Sequence, residues 1–266
     1  IPLYFLMFSV FLNIFFDILF VMYFNWEIEG AAWATVLAQL ISTICCMSYM
    51  FLKFPILHLK KDDWIVSREF LYEHLKTGIP MGLQMSILTL GMIAVQYVLN
   101  SFGSIAIAAF TTAMRVDQMF SQSLIALGAT VSVFTAQNYG AKKMSRVREG
   151  AKAAMLIAVF ISVFSFVVLK LFGPNIISLF MAEVNTEVMR LASIYLNIVI
   201  IFFIFLGALM VFRNILQGMG DVISPLVSGI AELLARFSFA FIFGHYFGFS
   251  GVCTATPAAW ISATIV

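Results

Sequence analysis

Asn13 and Asp17 place an amide and a carboxylate four residues apart inside the apolar run SVFLNIFFDILFVMYF. Residues at that spacing share one face of a helix. Both offer oxygen, the hard donor atom that suits Na+ or a proton relay. A carboxylate at membrane depth costs roughly 2.5–3.5 kcal/mol on insertion scales. It is kept where a cation visits it, or where a neighbouring helix satisfies it. Glu232 and Arg236 form a second pair four apart, with the acid toward the N-terminus. That spacing reads as a self-neutralising ion pair, and alternatively as a gating contact. Arg115 and Asp117 lie two apart and so face different ways, each expected toward the protein interior or a water-filled cavity. Gln84, Ser86, Gln96 and Asn197 could add polarity to such a cavity.

Other chemistry is not supported. There is no P-loop, so ATP-driven work is not expected. His58, His74 and His245 are too scattered for a metal site, and neither GxSxG nor HExxH occurs. Cys45, Cys46 and Cys253 lie in apolar runs and read as small buried hydrophobes. The expectation is a protein that is not an enzyme, holds no cofactor and binds no nucleic acid.

The elements that must position these groups are membrane spans. Of the 266 residues, 62% are apolar and 11% charged, with a mean hydropathy of +1.03. Soluble domains are typically about 45–50% apolar and about 25% charged. Only helices or a closed barrel cross a bilayer, and runs of about 20 residues without strict alternation favour helices. Eight segments follow: 3–24, 30–52, 78–99, 104–138, 151–172, 188–212, 222–244 and 250–266. The fourth is too long for one perpendicular span. The first residue is Ile, no signal peptide is visible, and the last run is short for a span. The chain is therefore expected to be cut at both ends.

Charge alternates between the connections. Lys53, Lys60, Lys61, Arg68 and Lys76 fall in 53–77, Lys142, Lys143, Arg146, Arg148 and Lys152 in 139–152, and Arg213 in the turn 213–221. The intervening connections are neutral or acidic, with Glu27 and Glu29 in one and Glu183 and Glu187 in another. The positive-inside rule puts the basic set in the cytoplasm. The stretch 53–77 reads as an interfacial helix joining two halves, or as a plain solvated loop.

An internal repeat pairs GAAWAT, from Gly30, with GVCTAT, from Gly251. The same offset pairs Phe16 with Phe237, Phe20 with Phe241 and Thr43 with Thr264. Both pairs of spans have the same expected orientation, which implies a parallel repeat about the membrane normal. Asn13 and Asp17 map to Leu234 and Ser238, so the polar pair is expected in one half only. Thr35, near the outer end of its span, can meet Asp17 at similar depth and add a hydroxyl. The alternative is a hydroxyl bonded to its own helix.

Four stretches carry a resemblance. NIFFDILF…EIEGAAWATVLAQ resembles the fifth and sixth helices of multidrug and toxic compound extrusion (MATE) transporters. GIPMGLQMS resembles the opening of their seventh, AQNYGAKKMSRVREG the loop after the eighth, and LQGMGDVISPLVSGIAELLARF the junction of the tenth and eleventh. The resemblance implies an all-α polytopic membrane protein of two pseudo-symmetric six-helix lobes. This chain would hold about helices five to twelve: residues 1–52 ending the first lobe, 53–77 a cytoplasmic linker, and 78–266 most of the second. It further implies a monomeric secondary antiporter in a prokaryotic cell membrane, exchanging organic, often cationic compounds for Na+ or H+. Asn13, Asp17 and Thr35 match the family's first-lobe ion site, which also uses an Asp on helix one. The stretch MSILTLGM lacks the mid-helix acid that some members carry on helix seven. That puts an ion site in the second lobe in doubt and resembles the DinF-like branch. The 15 Met and 29 Phe residues suit promiscuous apolar ligands. Two other readings stay open: a flippase of the same broad fold for a lipid-linked precursor, and a membrane receptor or assembly subunit without transport.

Overall fold

Long apolar stretches satisfy their backbone in a bilayer by coiling on themselves. The computed structural model describes residues 2–58, 67–181 and 185–266, and no strand occurs among the described residues. Helix α1 (Pro2–Asp17) continues as a π-helical turn, Ile18–Tyr23, and α2 (Glu27–Lys53) follows. Then come α3 (Arg68–Asn100), α4 (Gly103–Gly140) and α5 (Met144–Leu179). Helix α6 (Thr186–Val199) passes through the 3-10 turn Ile200–Phe202 into α7 (Phe203–Gly218), and α8 (Ile223–Cys253) and α9 (Ala255–Ile265) complete the order. Among the described residues seven continuous helical stretches are long and apolar enough to span a membrane. The chain is an all-α, multi-pass membrane protein. It divides into two units, Ile1–Arg68 and Glu69–Val266.

The first unit is a helical hairpin closed by small residues. Gly30, Ala34, Ala38 and Ser42 recur every fourth residue on α2 and form its buried stripe. Small side chains at that spacing let two helices approach closely, which drives association in lipid. A Cβ at Gly30 would lie 3.1 Å from the Phe20 backbone. At the far end the Ser42 hydroxyl donates to the Phe5 carbonyl at 2.8 Å. The Phe20 ring stacks on Phe16 at 5.5 Å and on Trp26 at 5.2 Å, pinning the turn between the helices.

The second unit is built around α4, whose buried Ala106, Ala109, Phe110, Ala113 and Val116 belong to one core with residues of α6 and α7. Gly218 marks a tight crossing, since a Cβ there would lie 2.5 Å from the Ser132 carbonyl oxygen and 2.9 Å from Thr135 Cβ. Gly218→Ala is expected to cost about 1–3 kcal/mol by forcing α4 and α7 apart. The readout is a lower thermal midpoint of the detergent-solubilised protein. The turn after α7 uses Gly220 at φ 87°, a left-handed position that glycine reaches without strain. Asp221 then accepts the Ile223 and Ser224 amides at 3.0 and 3.1 Å, starting α8. Its bonds from Ser224, hydroxyl first, hold that carboxyl below the usual range.

One feature of the repeat recurs in local packing within each unit: Phe237 and Phe241 pack at 4.4 Å, as their counterparts Phe16 and Phe20 do at 5.5 Å. The two glycines do not meet equivalent neighbours, since a Cβ at Gly30 would press on Phe20 and one at Gly251 would collide with the Phe243 carbonyl, whereas the offset pairs Phe20 with Phe241.

Several expected boundaries move. Helix α3 begins at Arg68, inside the stretch expected to be a linker, because charges on a solvated first turn do not end a helix. The remainder of that linker, residues 59–66, and Glu183 lie outside the described residues. Helix α7 continues to Gly218 and carries Arg213 inside it, not in a turn. The connection expected at 245–249 reduces to one non-helical residue, Gly248 at φ 60°. Of the three cysteines expected to be buried, Cys253 is, while Cys45 is exposed.

Candidate functional site

In the first unit α1 and α2 bring Asn13 and Thr35 together. The Asn13 amide donates to the Thr35 hydroxyl oxygen at 3.3 Å, and the Thr35 hydroxyl donates to the Ala31 carbonyl at 3.1 Å. Thr35 therefore does both things that were alternatives in the sequence: it bonds its own helix and it meets its neighbour. A hydroxyl has one donor and two acceptor lone pairs. Its proton is used on Ala31 and one lone pair on Asn13, which leaves one lone pair. The Asn13 carbonyl oxygen has no partner among the described residues. Asp17, one turn further along the same face, is half-buried and makes no hydrogen bond or ion pair among the described residues. Three kinds of oxygen thus line one corner of the hairpin, carboxylate, amide and hydroxyl, all free to accept.

The backbone at this corner is unusual. The α-helical pattern ends at Asp17 and the next six residues form a π-helix, with the Phe24 amide bonded to the Leu19 carbonyl at 3.0 Å. Such turns are rare in general and recur at functional sites. Nothing in the composition of ILFVMY announces it. Among the described residues no three His, Cys, Asp or Glu side chains converge. A corner with a single carboxylate suits a proton or a monovalent cation better than a divalent metal.

The second unit holds a buried charge cluster. Glu232 accepts from Arg236 at 2.7 Å and from Arg213 at 2.9 Å, one arginine on each oxygen. All three side chains are at most 8% exposed. Arg213 also reaches the Ser228 hydroxyl at 3.3 Å, and Ser228 donates to the Ala263 carbonyl at 2.9 Å. The cluster thus ties α7, α8 and α9 together. The pair read from spacing was two thirds of it. Arg213 was missed because a charge near a glycine turn resembles a loop residue. Gln84 is a second interhelical strut: it is 2% exposed and accepts from Gln217 at 3.1 Å. It packs between helices instead of facing open space.

The remaining candidates separate. Arg115 is exposed on α4, whereas Asp117 is buried. Two residues are roughly 200° apart around a helix, so both cannot face the core. Asp117 accepts from the Tyr195 hydroxyl at 3.4 Å. Tyr195 was not foreseen, although a buried tyrosine hydroxyl usually needs a partner. Of the other polar residues, Ser86 bonds its own helix at Gly82, Gln96 bonds Asn100, and Asn197 accepts from Lys170.

Residues 80–242 match the MatE family model. The chain is 29% identical over 256 residues to the probable multidrug resistance protein YpnP of Bacillus subtilis, covering 94% of this chain and 56% of that protein. It is 22% identical to the multidrug export protein MepA of Staphylococcus saprophyticus, covering 92% of this chain and 53% of that one. Among solved structures it superposes on an outward-facing multidrug resistance MATE family transporter of the MOP superfamily with a TM-score of 0.87 at 24% identity, over 97% of this chain and 58% of that one. A point mutant of the Vibrio cholerae MATE transporter VcmN gives 0.88 at 20% identity, over 98% of this chain and 59% of that one. The chain spans about half the length of the curated relatives it matches.

Proposed function

Since the chain belongs to the MatE family, we propose that it is the working part of a secondary active efflux transporter. Cytoplasmic organic compounds, often cationic, leave the cell in exchange for Na+ or H+. The first unit acts as the last two helices of one lobe, and the second as most of the other. The observation that carries this reading is the corner where Asn13 bonds Thr35 and Asp17 stands unpartnered one turn beyond, among the described residues. The names of the relatives, multidrug resistance and multidrug export proteins, support the substrate class.

The coupling ion enters from outside and binds the Asp17 carboxylate, the Asn13 carbonyl and the remaining Thr35 lone pair. Loading removes the uncompensated charge from the hairpin. It also changes the packing preference of the π-helical turn that begins at Ile18. An ion shifts a conformational equilibrium only by binding the two states differently. The π turn supplies that difference, because its hydrogen-bond register can revert to α without breaking the helix. A lipid-linked precursor would want a strongly cationic cavity. Arg213 and Arg236 are committed to Glu232, which leaves Arg115 as the one uncommitted candidate of the three and makes that reading the weaker.

The test is dye efflux by the full gene product in liposomes with an imposed Na+ or pH gradient. Uphill efflux driven by one of the two gradients is expected. Thr35→Val, which keeps the shape and removes the hydroxyl, is expected to raise the half-saturating concentration of the driving ion about tenfold, the loss of one ligand to a charge. Efflux indifferent to both gradients would remove the proposal.

A further inference from the structure

Lys170 on α5 carries a charge that no acid among the described residues answers with an ion pair. It follows the uncharged run 153–169, and the helix axis rises roughly 27 Å between Lys152 and Lys170. The positive-inside rule puts the basic start of α5 in the cytoplasm, so Lys170 comes near the outer edge of a hydrocarbon core about 30 Å thick. Its ammonium donates to the Asn197 carbonyl oxygen on α6 at 2.9 Å. Glu187, the acid at the start of α6, is held by Arg190 at 2.6 Å and lies about 15 Å along the axis from Asn197. An ammonium has three donors and a primary amide two. With the Asn197 oxygen turned to Lys170, two ammonium donors and both amide donors have no partner among the described residues. These two side chains wall a recess of about 200 Å³ between α5 and α6, and no acid among the described residues lines it. Gly173 lines it too; this glycine is buried, yet a Cβ there would meet no described atom within 4 Å. The missing side chain leaves the space open.

We propose that this recess is a headgroup site for an anionic phospholipid of the outer leaflet, its phosphodiester oxygens held by Lys170 and Asn197.

Four open donors and one positive charge suit the oxygens of an anion, and a lysine binds phosphate as a point charge. The size of the recess limits that anion. Small-molecule pockets run about 300–1,000 Å³, so 200 Å³ takes a compact charged group and not a drug-sized body. Pro174, next to Gly173, has no N–H and so leaves the Lys170 carbonyl without its helical donor. That oxygen can accept from a headgroup hydroxyl. The surroundings decide what carries the anion. On the Lys170 face of α5, toward the bilayer centre, Val163, Phe166 and Val167 are exposed. Past Asn197 in the same direction, Ile201 and Ile204 are exposed. Two apolar faces thus run inward from one polar recess, which matches a charged head with acyl chains below it and does not match a free soluble anion. A lipid phosphate supplies the countercharge for Lys170. The recess shares no residue with the Asn13–Asp17–Thr35 corner, so this inference stands or falls separately from ion coupling.

The full gene product is delipidated in detergent and titrated with phosphatidylglycerol, or with phosphatidylcholine as the zwitterionic reference. Native mass spectrometry counts the bound lipid. Phosphatidylglycerol is expected to bind more tightly than phosphatidylcholine. Lys170→Met should weaken one phosphatidylglycerol about tenfold, the loss of one charged hydrogen bond, and leave any held at the basic 139–152 connection untouched. Gly173→Met keeps every charge and fills the recess, and it should weaken the same lipid as much. That variant also covers the case in which Lys170→Met folds poorly. Arg190→Met removes a cation already paired with Glu187 and should change nothing. Inorganic phosphate at the lipid's concentration should not displace it. Equal binding of the two lipids, wild-type affinity in Lys170→Met, or an equal loss in Arg190→Met would each overturn the proposal. Wild-type affinity in Gly173→Met would overturn it by showing a bare surface charge in place of a built site. Displacement by inorganic phosphate would overturn it by assigning the recess to a soluble anion.

Discussion

Asp17→Asn is expected to abolish ion-driven efflux while leaving membrane insertion, yield and thermal midpoint at wild-type levels. The two halves of that expectation have one cause. Asp17 has no hydrogen bond or ion pair among the described residues, so its replacement strands nothing. The substitution even removes the cost of holding a carboxylate at membrane depth, roughly 2.5–3.5 kcal/mol on insertion scales. What is lost is the carboxylate charge of the Asn13–Thr35 corner. A charged ligand contact worth about 3 kcal/mol corresponds to roughly 100-fold in ion affinity. At ordinary gradients that empties the site. Folding and transport should therefore part company in this variant. Efflux measured against membrane protein level in the same cells makes the comparison.

Glu232→Gln is expected to do the opposite, losing the fold before any transport can be measured. Glu232 is the one acid among the described residues that forms ion pairs with both buried guanidinium groups, at 2.9 Å from Arg213 and 2.7 Å from Arg236. Removing one partner of a buried ion pair costs about 3–5 kcal/mol, chiefly because the other charge is left unpaired. Here two charges are left. The Nε atoms of both arginines already lack partners among the described residues, so little spare hydrogen bonding is available to absorb the change. Stability of a domain is typically only about 5–15 kcal/mol, and the variant should show low monodisperse yield in detergent. Adding Arg213→Met removes one of the two stranded guanidinium groups, and this double variant should recover part of the yield. A Glu232→Gln protein with a wild-type thermal midpoint would show that the cluster contributes nothing to the fold.

The contrast explains which parts could be read from the sequence. Asp17 and Asn13 were legible because an i, i+4 relation within one apolar run needs no tertiary knowledge, and Thr35 because the hairpin partner of α1 is the next helix. The Glu232–Arg236 pair was legible for the same reason. Arg213 was not, because its partner lies 19 residues away across a turn. A charge close to Gly218 and Gly220 reads as a span end, whereas an acid on the facing helix lets the span continue past it. Asp117 and Arg115 carry equal weight in a string of letters. Only the packing of α4 decides that one enters the core with Tyr195, 78 residues away, and the other does not. The π turn at Ile18 was invisible altogether, since ILFVMY is as good an α-helix as its neighbours in residue type. The repeat carries over in one local feature, the two phenylalanine pairs, while its strict mapping sets Leu234 and Ser238 opposite Asn13 and Asp17.

The central claim is that the Asn13–Asp17–Thr35 corner carries the coupling ion. The most direct measurement follows cation entry and dye efflux together, in liposomes holding the full gene product, for wild type and Asp17→Asn. The account predicts a fixed ratio of cation entry to dye efflux in wild type, and no dye-dependent cation entry in Asp17→Asn. Cation entry coupled to dye efflux at the wild-type ratio in Asp17→Asn would contradict it.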